Sequence, residues 1–314
     1  MLNRDAYVES PSRSLSVDEP AETEEDVVAE RVSPTVRLRK VVRRLLQWRE
    51  AAGMRQDDVA AALQWSKAKV SRFENADQIP GPADVLALAA IYGVSDVERD
   101  QYVALSLQAR QRGWWQRYDD SLASNFGEYV GLEAEASHVR EFAIDLIPGL
   151  LQTDAYASAL MQAWVPRVDE DVARDRASLR AERQKNLFGE DPVAVTAVIG
   201  EAALRQLVGG PETMREQLGH LVTMSEHAHI TIQVLPFSAG AVPALGEPFI
   251  ILSFAGPDDP DVAFADHLTG CVYVEAEDDV ESYNLNFGAL QEKALAPAES
   301  IEFITTLAGD LRAR

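Results

Sequence analysis

Hydrophobic residues along the chain change period near residue 113. Before it, Leu38, Val41, Val42, Leu45 and Leu46 recur at i, i+3, i+4, i+7 and i+8, which predicts one amphipathic helix opened by Ser33-Pro34 and stopped at Gly53. A short helix is expected from Gln56 to Leu63, then a turn at Gln64-Trp65. A third helix follows to Glu74, with Ser66 as its N-cap. Val59, Ala60 and Leu63 face Val70 and Phe73 across that turn. Two further helices are expected, Ala83 to Tyr92 closed by Gly93, and one opened by the capping box Ser95-Asp96-Val97-Glu98 and ended by Gly113.

Beyond Gly113, helical periods in Leu150–Trp164, Val168–Phe188, Glu212–Ala228, Val280–Leu295 and Ala298–Arg312 alternate with β-branched runs. Strands are expected at Val193–Ile199, Ile230–Leu235, Phe249–Phe254, Val262–Ala265 and Cys271–Val274. The loops Pro236–Pro248 and Gly256–Pro260 separate three of them. The expected fold class is α+β: an N-terminal all-α five-helix domain followed by a mixed α/β C-terminal domain. The expected boundaries are 1–32 for an acidic arm too poor in large apolar residues to order itself, 33–112 for the helical domain and 113–314 for the mixed domain.

Charge sharpens this division. The net charge of −22 argues against a nucleic-acid partner on average, yet it resolves into −6 over residues 1–32, +4 over 33–94 and −20 over 95–314. One basic module on an acidic body binds DNA through one face only. Arg37, Arg39, Lys40, Arg43, Arg44 and Arg49 crowd the first helix. The longest apolar stretch, Val85–Val94, is far short of the ~20 residues that cross a bilayer, so no membrane partner is expected. The first twenty residues lack an apolar core before a cleavage site, and a cytoplasmic location is expected.

Residues 55–75 have helix-turn-helix spacing. The second helix of such a pair must be short, exposed on one face and free of acidic groups where it enters the major groove. Lys67–Arg72 meets this: Val70 and Phe73 anchor its back while Lys67, Ala68, Lys69, Ser71 and Arg72 project, and these five with Ser66 are the DNA contacts expected of this helix. Arg72 can reach guanine O6 and N7 bidentately, and the lysines serve equally as phosphate contacts.

On these residues the chain resembles, across 35–94, the Xre family, the phage Cro and repressor type of helix-turn-helix. The resemblance implies a phosphate contact at Gln56, recognition positions at Lys67, Ala68, Lys69 and Arg72, a phosphate-facing loop start at Asn75, and a structural ion pair of Arg49 with Glu74. The usual turn glycine is Gln64 here, at a strain of about 1–2 kcal/mol that packing of Trp65 offsets.

Gly113-Trp114-Trp115-Gln116-Arg117-Tyr118, Gly131–Ala136, Ile147–Thr153 and Tyr156-Ala157 resemble the C-terminal domain of a group of actinobacterial helix-turn-helix regulators. So do Arg183-Gln184, Glu201–Arg205, Gln217-Leu218, Gln233–Phe237, Tyr273–Glu275, Ala294-Leu295 and Glu299-Ser300. That resemblance implies an antitoxin-like regulator whose acidic domain binds a small companion protein encoded nearby.

Sharper chemistry is sparse. Trp114, Trp115, Tyr118, Tyr129 and Phe142 are read either as a candidate pocket for a small-molecule effector or as ordinary packing. Glu133 and Glu135 diverge by about 200° on a helix and form no catalytic pair. The arginines of 174–185 read as a salt-laced helix face, with an anion or partner site as the alternative. Cys271 is the sole cysteine, His227/His229 and His267/Cys271 lack a third ligand, and no phosphate-loop, nucleophile-elbow or zinc-hydrolase string occurs. No cofactor or metal is therefore expected.

The expected function is a sequence-specific regulator that binds double-stranded DNA as a homodimer, since one recognition helix contacts too few bases. Two alternatives stand: an antitoxin module that neutralises its companion, and an enzyme with its site near Glu201, Arg205 and the Pro236–Gly246 loop.

Overall fold

The computed structural model describes residues 36–110, 114–121, 126–163, 169–189, 191–256, 259–268 and 270–311. The acidic arm, the helix start at Ser33-Pro34, Gly113, Trp164, Val168 and Arg312 lie outside them. The first lobe is helical: α1 (Val36–Ala51), α2 (Gln56–Leu63), α3 (Lys67–Glu74), α4 (Pro82–Tyr92) and α5 (Asp96–Ala109). Val41, Leu45 and Trp48 of α1 meet Val59, Val70, Phe73, Val85 and Leu88 in one core, and Leu38 and Val42 pack on Ala109 in a smaller one. Half of the expected capping box at α5 forms. Ser95 Oγ accepts from Glu98 N at 3.4 Å, while the Glu98 carboxylate turns to Arg44 (Nε at 2.6 Å) and Trp48 (Nε1 at 3.1 Å).

The second lobe, joined through a 3₁₀ segment at Trp114–Ser121, contains α6 (Phe126–Glu135), β1 (His138–Ala143), α7 (Asp154–Ala163), α8 (Glu170–Gln184), β2 (Ala194–Gly200) and α9 (Glu201–Arg205). It continues with α10 (Pro211–Met224), β3 (Ile230–Leu235), β4 (Phe249–Ser253), β5 (Val262–His267), β6 (Gly270–Val274), α11 (Glu277–Lys293) and α12 (Pro297–Asp310). The chain is thus α+β, a helical region followed by a region of mixed sheet and helices. Strand order is β3-β2-β1-β4-β5-β6; β1, β2 and β3 are parallel, and β4, β5 and β6 add antiparallel. Alternation divides the sheet residues between two cores. Val139, Val195, Ile232, Val234 and Leu252 face α10 and α12, whereas Phe142, Val198, Phe249 and Ile251 face Phe287 and Leu290 of α11.

Beyond the unexpected helices α6 and α9, three further elements differ from the sequence expectation. β1, at the middle of the sheet, carries Arg140 and Glu141 in His-Val-Arg-Glu-Phe-Ala and so shows no apolar run. The expected helix Leu150–Trp164 begins only at Asp154, after a 3₁₀ turn at Gly149–Leu151, because Gln152 folds back to donate to Ile147 O at 2.7 Å. The expected helix Val168–Phe188 tightens into a 3₁₀ turn at Lys185–Leu187.

Candidate nucleic-acid interface

The helix-turn-helix is α2, the turn at Gln64-Trp65, and α3. Asp58 Oδ2 accepts from Arg55 N at 2.8 Å to open α2, and Gln64 closes it in the left-handed region (φ 54°, ψ 37°). Ser66 Oγ then accepts from Lys69 N at 3.2 Å, which starts α3 with its axis turned away from α2. Trp65 stacks edge-on to Phe73 with ring centroids 5.9 Å apart, filling the inside of the corner. Val70 and Phe73 are buried, and the opposite face presents Lys67, Ala68 and Arg72, all exposed.

Two of the expected DNA-facing residues turn back onto the protein. Lys69 is half-buried, its Nζ 3.8 Å above the Trp65 ring and 2.8 Å from Asp84 Oδ1. Gln56 Nε2 donates to Glu74 Oε2 at 2.7 Å, the same carboxylate that takes Arg49 Nε at 2.6 Å on its other oxygen. Arg49 also donates to Met54 O at 3.0 Å, so one network ties α1, α2 and α3 together. The Glu74 bond holds the Arg49 guanidinium above its ordinary range despite partial burial. Burial, reinforced by the Glu74 charge, pushes Tyr92 up to about 12. Ser71 is half-buried. Asn75 is exposed at the end of α3, its Nδ2 3.4 Å from Ser71 Oγ. Lys67 reaches Asp57 at 2.9 Å, and Arg72 Nε donates to Gln78 Oε1 at 3.3 Å.

Much of the positive charge of α1 faces the second lobe. Arg39 pairs with Glu128 and, at 2.8 Å, with Glu275, and its guanidinium lies 5.7 Å from the Tyr273 ring centroid. Lys40 pairs with Asp259 at 3.0 Å and Arg37 with Glu135 at 3.9 Å. Burial lifts the carboxyls of Glu128 and Glu135 above their ordinary range, against the pull of Arg39 and Arg37. The basic stripe of α1 is therefore the seam between the lobes, a pairing with no signature in the sequence beyond opposite charge.

The candidate effector pocket does not assemble from its five aromatics. Trp115, Tyr118 and Tyr129 are buried in the larger core of the second lobe, with Trp114 edge-on to Trp115 at 5.9 Å, while Phe142 lies on the other side of the sheet with Phe249. Gly131 admits Trp115: a Cβ there would stand 2.6 Å from the indole.

The motif residues of the second lobe serve the scaffold. Gln217 accepts from Thr153 N and donates to Leu151 O, both at 2.7 Å, and Gln184 donates to Gln152 O at 2.8 Å. Val234 N donates to Ser300 Oγ at 2.9 Å and Leu295 N to Val234 O at 2.8 Å, which closes the β3 edge of the sheet. Sequence reasoning missed the buried pair of Glu133 with Arg183, at 2.7 Å and 2.6 Å, with Tyr129 OH donating to Glu133 at 2.7 Å. The motifs Gly131–Ala136 and Arg183-Gln184 contain the two residues but carry no sign of their pairing. Among the described residues no group of three metal-ligating side chains converges, and no helix is long and apolar enough to cross a membrane.

Comparison with known families matches residues 41–102 to a helix-turn-helix domain, the fold of DNA-binding regulators, and residues 126–306 to a domain of unknown function (DUF5753). No curated protein and no solved structure matches the chain. Since the second match spans more than half of its length, the chain belongs to the DUF5753 family and carries that domain behind a helix-turn-helix.

Proposed function

We propose that this protein is a transcription regulator that reads double-stranded DNA as a homodimer of the Xre type, and that its acidic lobe receives a small companion protein or a small-molecule effector. The observation that carries the reading is α3: a short helix with Val70 and Phe73 buried behind it and Lys67, Ala68 and Arg72 on its open face. Dimerisation follows from how few bases one such helix contacts. The charge of −20 over residues 95–314 favours a basic partner for the second lobe. A binding role rather than a catalytic one is supported by Glu201 and Arg205, the candidates for an attached active site. Glu201 accepts from Arg205 at 2.6 Å and from Phe237 N at 2.8 Å, so Glu201 holds the loop after β3 and Arg205 holds Glu201.

The test is selection from a random duplex library with the full-length chain, with and without a companion protein, at fixed salt. Enrichment of a two-fold motif, lost or altered with the companion, is the expected outcome; no enrichment in either arm removes the reading. On the selected operator, Arg72→Ala costs about 1–3 kcal/mol of affinity and relaxes the preference at one base position. An unchanged Kd would place the base-reading helix elsewhere.

A further inference from the structure

We propose that Asp57 and Asp84 act as specificity determinants, neutralising the lysines of the recognition helix so that DNA of random sequence is bound weakly and Arg72 is left to read bases. The inference rests on the DNA-binding reading above and names how that site discriminates. Both lysines of α3 are held by carboxylates from neighbouring helices, Lys67 by Asp57 of α2 at 2.9 Å and Lys69 by Asp84 of α4 at 2.8 Å. Arg72, one turn on, instead contacts the neutral amide of Gln78.

A lysine already paired with a carboxylate gains little by exchanging it for a phosphate, and the displaced carboxylate then stands beside the phosphate chain. Non-specific affinity comes almost wholly from phosphate charge, whereas specific affinity adds base contacts. Lowering the first therefore widens the ratio between them. Among the described residues, most other cations of the helical lobe are also engaged, Arg44 with Glu98 and Arg49 with Glu74. Arg37, Arg39 and Lys40 are engaged with the second lobe, and residues 95–314 carry −20. Each aspartate also has a local function that keeps it in place. Asp57 lies in the first turn of α2, where the helix dipole favours it, and Asp84 Oδ2 accepts from Gly81 N at 2.9 Å to open α4.

The experiment measures binding of the full-length chain to an operator duplex and to a scrambled duplex across 50–200 mM NaCl, for wild type, Asp57→Asn, Asp84→Asn and Asp96→Asn. Asp96 pairs with Arg99 on α5 and removes the same charge away from α3. Asp57→Asn and Asp84→Asn are expected to tighten binding to the scrambled duplex about threefold each and to steepen its log K against log salt slope by about 0.9, with a smaller gain on the operator. Asp96→Asn is expected to leave both unchanged. Equal gains in all three variants would assign the effect to net charge and overturn the proposal, as would no gain at Asp57, the exposed position where folding is least at risk. A wild-type chain without affinity for either duplex removes the DNA reading itself, an outcome distinct from both.

Discussion

Gln64 holds a left-handed conformation (φ 54°) that an L-residue with a side chain adopts at a cost of about 1–2 kcal/mol. Its place is fixed by Trp65, whose N–H donates to Ala60 O at 2.9 Å and whose ring fills the corner against Phe73. Replacing Gln64 by Gly relieves the strain and gives back part of the gain as unfolded-chain entropy. The expected net is a stabilisation of about 0.5–1 kcal/mol, read as a higher urea midpoint at unchanged slope; a lower midpoint would mean the Gln64 side chain contributes contacts of its own. At the same scale, Gln56 and Lys69 show why single residues are hard to place from sequence. Each has the chemistry to reach phosphate, and each is held by a carboxylate from another helix.

Among the elements, α6 and α8 are joined by charge inside an apolar core. Glu133 is 1 % and Arg183 8 % exposed, and the guanidinium takes both carboxylate oxygens while lying 5.4 Å from the Tyr129 ring centroid. Removing one partner of such a pair leaves the other charge buried and unpaired, which costs roughly 3–5 kcal/mol. Glu133→Ala is therefore expected to unfold at much lower temperature, whereas Glu135→Ala, two residues on at the seam with Arg37, loses less than about 1 kcal/mol. Thermal unfolding of the two variants side by side decides this, and equal losses would contradict the buried assignment. The difference also shows why the arginines of 174–185 read as a salt-laced face with no link to Glu133: the residues that matter most are those whose charges disappear from the surface.

Across the whole molecule, charge organises both lobes. The cations of α1 seat the helical lobe on Glu128, Glu135, Asp259 and Glu275, leaving Arg72 of α3, whose Nε meets only the neutral Gln78 amide, on its exposed face. In the second lobe, burial pushes Glu141 on β1 up to about 8, opposed by Arg183 and reinforced by Glu133. The unfolded carboxyl ionises near 4.3, so between about pH 4.3 and 8 the folded state keeps a proton that the unfolded state has lost. Stability therefore declines through that interval as pH rises. Glu141→Gln removes the dependence, and its urea midpoint should exceed that of wild type most at pH 8, with the free-energy gap shrinking by about 1.4 kcal/mol per pH unit toward pH 5. A gap independent of pH would show that Glu141 is ionised in the folded protein.

The sequence by itself determined the helical lobe with its turn, the change of architecture near residue 113, and the exposure of Lys67, Ala68 and Arg72 on α3. Each rests on contacts within a few residues, where the 3.6-residue period, an N-cap such as Ser66 and the anchors Val70 and Phe73 speak directly. The tertiary structure alone decided the rest. β1 is a strand because β2 and β4 flank it, despite Arg140 and Glu141 in its middle. Phe142 parts from Trp115 because it faces α11, whereas Trp115 of the 3₁₀ segment packs with Val139, which points to the other side of the sheet. Arg39 and Lys40 belong to the lobe seam because their carboxylates lie 89 and 219 residues away in the chain, a separation over which periodicity carries no information.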